Sequence, residues 1–307
     1  MSQPTQSTAV IGAGALGAIY GSLLYQVDPG SVSFIAGEGR RDRLQREGVV
    51  VNGARFLIPV TRPEESRPAN LVIVAVKHYQ LDQAIADLKL AIGPGTAVLS
   101  VMNGIDSEER IGSVYGMDKV LYGLALGIDA VRVENAVSYS NLGRILFGEK
   151  NNAVLSERVR RIGELLDRAG IVHQTPADMV RSLWFKFMIN VGVNQVSAVL
   201  GADYGTLRSS ARARDLMDAA MREVVSLARA EQVNLSEEDF GEWYRILGSL
   251  DPGGKTSMLQ DVEARRTTEV EMLAGTVLAM GRRHGIPTPV NQRLFADLKR
   301  FEAACRS

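Results

Sequence analysis

Lys186, Asn190 and Asn194 stand four residues apart among Trp184, Phe185, Phe187, Met188, Ile189, Val191 and Val193. On a helix, steps of four lay side chains in one slowly drifting stripe, so an ammonium and two carboxamides face one way from an otherwise apolar element. Apolar surroundings do not tolerate such groups without partners. A solvated helix face usually carries Glu, Lys and Arg, whereas amides fix a ligand through paired donors and acceptors. The chemistry that suits this set is ketone reduction. Hydride arriving at a carbonyl carbon leaves negative charge on the oxygen, which a nearby ammonium stabilises and then protonates. The plainer alternative is the wet face of an amphipathic helix.

A second set lies near the start. Gly12-Ala13-Gly14-Ala15-Leu16-Gly17 follows an apolar strand pattern over residues 7–11 and precedes a helical stretch to about residue 25. A strand that turns tightly into a helix presents unpaired N–H groups and the positive end of the helix dipole, and glycine removes the Cβ atoms that would block a pyrophosphate. This is a dinucleotide cradle; the alternative is a glycine-rich helix packed closely on a sheet. Glu38 lies where an acid would bind a ribose 2′-hydroxyl and favour NAD, yet Arg40, Arg41 and Arg43 follow it and could hold a 2′-phosphate. Those arginines could equally coat the start of a helix.

A third set begins at Asp251-Pro252-Gly253-Gly254-Lys255-Thr256-Ser257, a turn expected to open the helix that carries Met258, Leu259, Gln260 and Asp261. Free N–H groups at that start could bind a carboxylate, with Ser257 adding a hydroxyl or simply capping the helix. Glu269 falls three turns later in the same expected helix, roughly 18 Å from Ser257 along its axis, so the two should not hold one small group. Its alternative is a surface pair with Arg265 or Arg266.

The elements that must position these residues change character along the chain. Strand patterns at residues 7–11, 31–36, 71–76 and 98–102 alternate with helical pieces such as 80–92, which implies parallel pairing through crossovers. The run Leu71-Val72-Ile73-Val74-Ala75-Val76 suits a strand covered on both faces. From about residue 179 the pattern is helical, over 181–199, 211–231, 236–250, 257–284 and 291–304, with no convincing strand. The expected architecture is an α/β dinucleotide-binding domain over residues 1–175 and a helical domain over 176–307, with a ligand cleft between them.

Composition agrees with an ordinary folded chain. At 307 residues, 46% hydrophobic and 23% charged, it is long enough for two cores. The 35 Lys and Arg balance 35 Asp and Glu, so no net positive field exists to gather nucleic acid. The single cysteine, Cys305, allows no internal disulfide and no thiolate metal cluster, and points to the cytoplasm. Residues 1–27 carry no charge and contain Gly17-x-x-x-Gly21, a pattern that in lipid would pair helices. A secretory signal needs a positive n-region, which is missing, and the apolar part is short for a span, so no membrane association is expected.

Taken together the motifs resemble the ketopantoate reductase (2-dehydropantoate 2-reductase) family over nearly the whole chain. The resemblance rests on the glycine loop, Val76-Lys77, Asn103-Gly104, Leu183-Trp184-x-Lys186 with Asn190 and Asn194, Ser257-Met258-Leu259-Gln260-Asp261, Thr268-Glu269 and Gly285-Ile286-Pro287-x-Pro289-x-Asn291. It implies a Rossmann domain joined to a helical domain of the 6-phosphogluconate dehydrogenase C-terminal type. It implies that Gly12, Ala13, Gly14, Ala15, Leu16, Gly17, Lys77, Asn103 and Glu269 contact NADP, with Arg40 a candidate for its 2′-phosphate. Lys186 would be the proton donor, and Asn103, Asn190, Asn194 and the segment Ser257 to Gln260 would hold a 2-keto acid. The implied reaction is ketopantoate to pantoate with NADPH, in pantothenate biosynthesis; a homodimer is expected by analogy alone. Two departures stand out. The second strand ends in Ala36-Gly37-Glu38 rather than in an arginine, and the family Asn-Gly-x-Leu is here Tyr204-Gly205-Thr206-Leu207. These keep open NAD as cofactor and a related 2-hydroxyacid dehydrogenase of the D-mandelate type. A non-catalytic dinucleotide sensor is the third alternative.

Overall fold

Alternation of apolar residues along the first strands decides the layering of the N-terminal half. In a computed structural model, which describes residues 6–306, the strands run β1 (Thr8–Ile11), β2 (Val32–Ile35), β3 (Val49–Val51), β4 (Ala54–Phe56), β5 (Val60–Thr61) and β6 (Leu71–Val74). They continue as β7 (Ala97–Ser100), β8 (Val120–Leu126), β9 (Val131–Val133), β10 (Ala136–Ser138), β11 (Arg144–Gly148) and β12 (His173–Gln174). Val10, Ile73 and Leu99 point into one core, while Ala9, Ile11, Val72, Val74 and Val98 point into another. Both faces of the sheet are thus covered, as the continuous apolar run at 71–76 predicts. The strand itself ends at Val74, and Ala75 and Val76 belong to the turn beyond it.

The main sheet has the order β12-β11-β8-β7-β6-β1-β2-β5. From β2 to β8 neighbours pair in parallel, with Ile11 opposite both Ile35 and Val74, and Val74 opposite Ser100. The strand order reverses between β1 and β6, which is where a doubly wound sheet opens its crevice. Two features add to the expected parallel pairing. β11 pairs antiparallel with β8, and a separate four-stranded sheet, β4-β3-β10-β9, is inserted. Its strands are three residues each, too short for periodicity to reveal. The helices of this half are α1 (Ala15–Val27), α2 (Glu38–Glu47), α3 (Leu81–Asp87), α4 (Ser107–Tyr115) and α5 (Glu157–Arg168). From Thr8 to Val27 the uncharged stretch is therefore a strand inside the sheet and the first helix packed on it.

The chain divides into two compact units, at Met179 and Val180, and among the described residues the second contains helices and no strand. Its elements are α6 (Met179–Ile189), a π turn over Asn190–Asn194, α7 (Gln195–Leu200), α8 (Tyr204–Ser209), α9 (Ala211–Ala230), α10 (Asp239–Ser249) and α11 (Ser257–Glu263). A second π turn over Glu271–Gly275, then α12 (Thr276–His284) and α13 (Pro289–Arg306), complete it. Met217, Met221 and Val224 of α9 are fully buried, and Gly192 lets Met221 approach, since a Cβ there would lie 2.6 Å from Met221 Cγ. The stretch Met179–Leu200 is long and apolar enough to cross a membrane, yet 61% of its apolar window is buried inside the protein, the pattern of a core helix.

The expected single helix over 257–284 is contradicted. α11 stops at Glu263, residues 264–270 are irregular, and Arg265 takes φ +51°, a left-handed conformation that ends an α-helix. The axial separation inferred for Ser257 and Glu269 falls with it.

Candidate functional site

The glycine loop lies at the carboxyl end of β1 and is held there by contact between backbones. Gly12 has φ +98°, and a Cβ on it would meet Ala75 O at 2.5 Å. A Cβ on Gly17 would meet Gly12 O at 1.9 Å, so only glycine lets α1 close onto the turn that feeds it. Gly14 precedes α1 in extended conformation, and no side chain caps the helix. The first-turn N–H groups of Ala15, Leu16 and Gly17 can therefore receive a phosphate. Ala13 is buried beneath them.

Three arginines share a pocket with this loop. Arg40 and Arg43 of α2 line a pocket with Ala13, Ala18, Asn135 and Arg132, the last from β9. Arg132 Nη1 lies 3.9 Å from where a Cβ on Gly14 would sit. Desolvation and then the neighbouring charge of Arg43 depress the pKa of Arg40, while Arg43 itself pairs with Glu47 at 3.6 Å. Arg41 and Arg62 each bury an Nε with no hydrogen-bond partner among the described residues. Glu38, the acid expected to favour a ribose hydroxyl, instead accepts a hydrogen bond from Arg62 Nη2 at 3.1 Å. Sequence reading missed Arg62 and Arg132; the first follows a two-residue strand and the second sits in the inserted sheet, so spacing from the glycine loop could not reveal them.

Lys77 and Asn103 stand at the carboxyl ends of the adjacent strands β6 and β7, the same sheet edge as the glycine loop. The Lys77 N–H donates to Gln80 Oε1 at 3.3 Å, and Gly104 after Asn103 has φ +103°. Beneath the Asn103 loop lies a buried chain in which Met102 N–H donates to Ser100 Oγ at 3.4 Å, Ser100 and Ser107 hydroxyls meet at 2.8 Å, and Ser107 donates to Glu108 Oε2 at 2.9 Å. Burial pushes the Glu108 carboxyl up to about 7. Nearby, burial alone would raise Asp106, but the hydrogen bond from His78 and the charges of His78 and Arg110 bring it below the usual carboxylate value.

In the second unit Lys186 and Asn194 are half-buried and Asn190 is buried, on a helix whose Trp184, Phe187 and Met188 enter the core. Two α-helical steps would rotate Asn194 away from Lys186 by roughly 80°. The π turn over Asn190–Asn194 admits about one extra residue to the turn and takes back much of that drift. Asn194 Nδ2 accordingly donates to Asn190 Oδ1 at 3.3 Å. The structure thus brings Asn190 and Asn194 together across a π turn that spacing alone does not announce.

Tyr204 and the 251–257 turn come together. Tyr204 N–H donates to Gly254 O at 3.0 Å and Gly205 N–H to Pro252 O at 2.7 Å. A Cβ on Gly254 would lie 3.0 Å from the Tyr204 ring, and burial raises the phenol pKa. The cap of α11 is Thr256, not Ser257: Thr256 Oγ1 accepts from Leu259 N at 3.2 Å and donates to Ser197 Oγ of α7 at 3.0 Å. Ser257 is exposed at the first helical position. Met258 and Leu259 are 2% and 1% exposed and belong to the core, and Gln260 Nε2 donates to Lys255 O at 3.3 Å.

Glu269 sits in the irregular segment ahead of the second π turn, and Leu273 N–H donates to its carbonyl at 3.0 Å. Thr268 donates from both N–H and Oγ1 to Glu302 Oε1 at 2.8 Å, which pins that segment to α13. Arg266 pairs with Asp261 at 2.8 Å. Among the described residues no three His, Cys, Asp or Glu side chains gather into a metal site.

The family described as Ketopantoate reductase PanE/ApbA matches residues 8–152, and Ketopantoate reductase PanE/ApbA C terminal matches residues 178–302. The 2-dehydropantoate 2-reductase of Aquifex aeolicus is 24% identical over 302 residues, covering 95% of this chain and 96% of its own. Among solved structures, a D-mandelate dehydrogenase with NADH and anilino(oxo)acetate superposes with TM-score 0.87 at 21% identity, covering 98% of this chain and 100% of that one. A ketopantoate reductase from Staphylococcus aureus, described as dimeric, gives TM-score 0.79 at 20% identity over 97% and 99% of the two chains. The structural likenesses establish the Rossmann sheet unit followed by the helical unit.

Proposed function

The chain belongs to the ketopantoate reductase family, and from that premise we propose that it reduces a 2-keto acid to a 2-hydroxy acid with NADPH, ketopantoate to pantoate being the leading pair. The observation that carries this reading is the alignment of Asn190 and Asn194, 3.3 Å between their amides, on the stripe that begins at Lys186. A catalytically silent dinucleotide sensor has no need of an ammonium and two amides on one stripe of a core helix.

The residues of the first unit fit a dinucleotide. Gly12 and Gly17 keep the cradle free of Cβ atoms, the start of α1 offers N–H donors, and Lys77 and Asn103 stand on the same strand edge. When bound, the dinucleotide supplies the hydride. The arginines Arg40, Arg43 and Arg132, gathered in one pocket, support a 2′-phosphate and so NADPH over NADH. In the second unit the Lys186 ammonium stabilises the charge that builds on the C2 oxygen and then protonates it. Asn190 and Asn194 orient the keto acid by donating to its oxygens, and Ser257 with the first N–H groups of α11 receives its carboxylate. Met258 and Leu259 can take part only through backbone, because their side chains are in the core. Glu269 contacts the dinucleotide on its nicotinamide side, as the family resemblance implies. The same reading makes the protein a cytoplasmic homodimer serving pantothenate synthesis.

A second reading has one residue in its favour. Tyr204, a phenol in place of the family amide, packs on Gly254 beside the α11 start and alters both volume and hydrogen bonding there. That favours a bulkier keto acid, with an NAD-dependent dehydrogenase of the D-mandelate type as the model. Steady-state rates with ketopantoate and with aromatic 2-keto acids, each with NADPH and NADH, separate the two. The first reading requires the largest kcat/KM for ketopantoate with NADPH; a preference for the aromatic acid with NADH replaces it with the second.

A further inference from the structure

The motif that ends at Asn291 has no part in the reaction above, yet Asn291 is fully buried, as is Gln195, the residue that follows the first π turn. Gln195 Nε2 donates to Val191 O, inside the π turn, at 2.7 Å and to Asn291 Oδ1 at 3.0 Å. Asn291 Nδ2 in turn donates to Ala220 O of α9 at 3.2 Å and to Glu223 Oε2 at 2.7 Å. The Glu223 carboxylate also accepts from the backbone N–H of Val290 at 2.7 Å and of Asn291 at 3.0 Å, so it caps the first turn of α13. One continuous buried chain therefore runs from a helix cap to a carbonyl of the π turn. Every N–H of both amides in that chain is used.

A π turn breaks the regular ladder of helical hydrogen bonds, and a carbonyl inside it relies on a donor from elsewhere or the turn relaxes towards α-helix. Relaxation would return the drift that the turn removes and swing Asn194 off the stripe of Lys186 and Asn190. Gln195 keeps this contact although its Oε1 is buried without a hydrogen-bond partner among the described residues, an arrangement that a residue serving packing alone would not favour.

We propose that Gln195, held by Asn291 and through it by Glu223, is a positioning residue that fixes the π turn and thereby aligns Asn194 with Asn190 and Lys186. The inference rests on the reading of those three residues as the keto-acid site. Gln195→Leu keeps the volume and removes both donors. It is expected to lower kcat/KM for the keto acid by roughly 10- to 100-fold, through kcat and the keto-acid KM together, while the Kd of NADPH measured without keto acid is unchanged. Leu247→Ala, a core truncation in α10, is the stability control: it lowers Tm but leaves kcat/KM unaltered. Should Gln195→Leu not fold, Gln195→Asn, which shortens the arm by one carbon so that both partners cannot be reached, is read in the same way. Normal kcat/KM in the folded Gln195 variant, with lowered Tm alone, overturns the positioning role. Lys186→Ala is assayed alongside: a near-normal rate there brings down the site reading itself and the inference with it, whereas loss of rate in Lys186→Ala with none in the Gln195 variant overturns only the inference.

Discussion

Glycine, arginine and one buried glutamate show what single residues do here. Gly17→Ala must place a Cβ against Gly12 O, where 1.9 Å is available, so the loop has to open. NADPH affinity, read by fluorescence titration, should fall at least about tenfold while the helical unit keeps its circular dichroism signal. Arg62→Ala is expected to raise the KM for NADPH several-fold and leave that for NADH nearly unchanged, because Arg62 occupies Glu38. Equal effects on both cofactors would remove the 2′-phosphate role. Glu108 yields a pH prediction. In the folded protein it holds its proton up to about pH 7, against an ordinary value of 4.5. Between those limits the folded state binds the extra proton, so this group's contribution favours folding at low pH and is lost as pH rises towards 7. Glu108→Gln should therefore gain stability relative to the parent from pH 4.5 to 7, by an amount on the order of 3 kcal/mol at the alkaline end, read by urea melts at several pH values. The close-packed glycines were legible in the sequence because their type and spacing are unusual after a strand. Arg62 and Arg132 were not, because they reach Glu38 and the arginine pocket from segments distant in sequence.

Elements carry the next level of control, and here periodicity had clear limits. The strand and helix alternation of the first unit was legible because β1, β6 and β7 are apolar runs bounded by glycine or polar turns. The π turn at Asn190–Asn194 was not, since an extra residue inside a helix apolar on most sides leaves the pattern of types unchanged. The break at residues 264–270 was hidden for a different reason. Arg265 has a side chain that suits a helix, and what ends α11 is its left-handed backbone, with Thr268 anchored on Glu302. Thr268→Val removes one of those two hydrogen bonds and leaves the segment that carries Glu269 less firmly held. It should cost about 1 kcal/mol in stability and raise the KM for the dinucleotide, a pair of effects that a thermal melt and a cofactor titration test separately.

At the scale of the whole molecule, the balanced charge of the composition makes nucleic acid a poor expectation, and the motif order carried the family. In the proposed reading the first unit binds the dinucleotide and the second the keto acid, a division that hydrogen exchange can map. NADPH alone should protect the glycine loop, the start of α2 and the Arg132 strand, and an unreactive keto-acid analogue added afterwards should protect α6, the π turn and the 252–260 segment. The central claim is that the Lys186 ammonium is the proton donor to the keto oxygen, and single-turnover kinetics of Lys186→Ala with NADPH and ketopantoate test it most directly. The account predicts that the hydride-transfer rate falls by roughly 10²- to 10⁴-fold while the Kd of NADPH stays within about a factor of two. A variant that oxidises NADPH at close to the parent rate would contradict it.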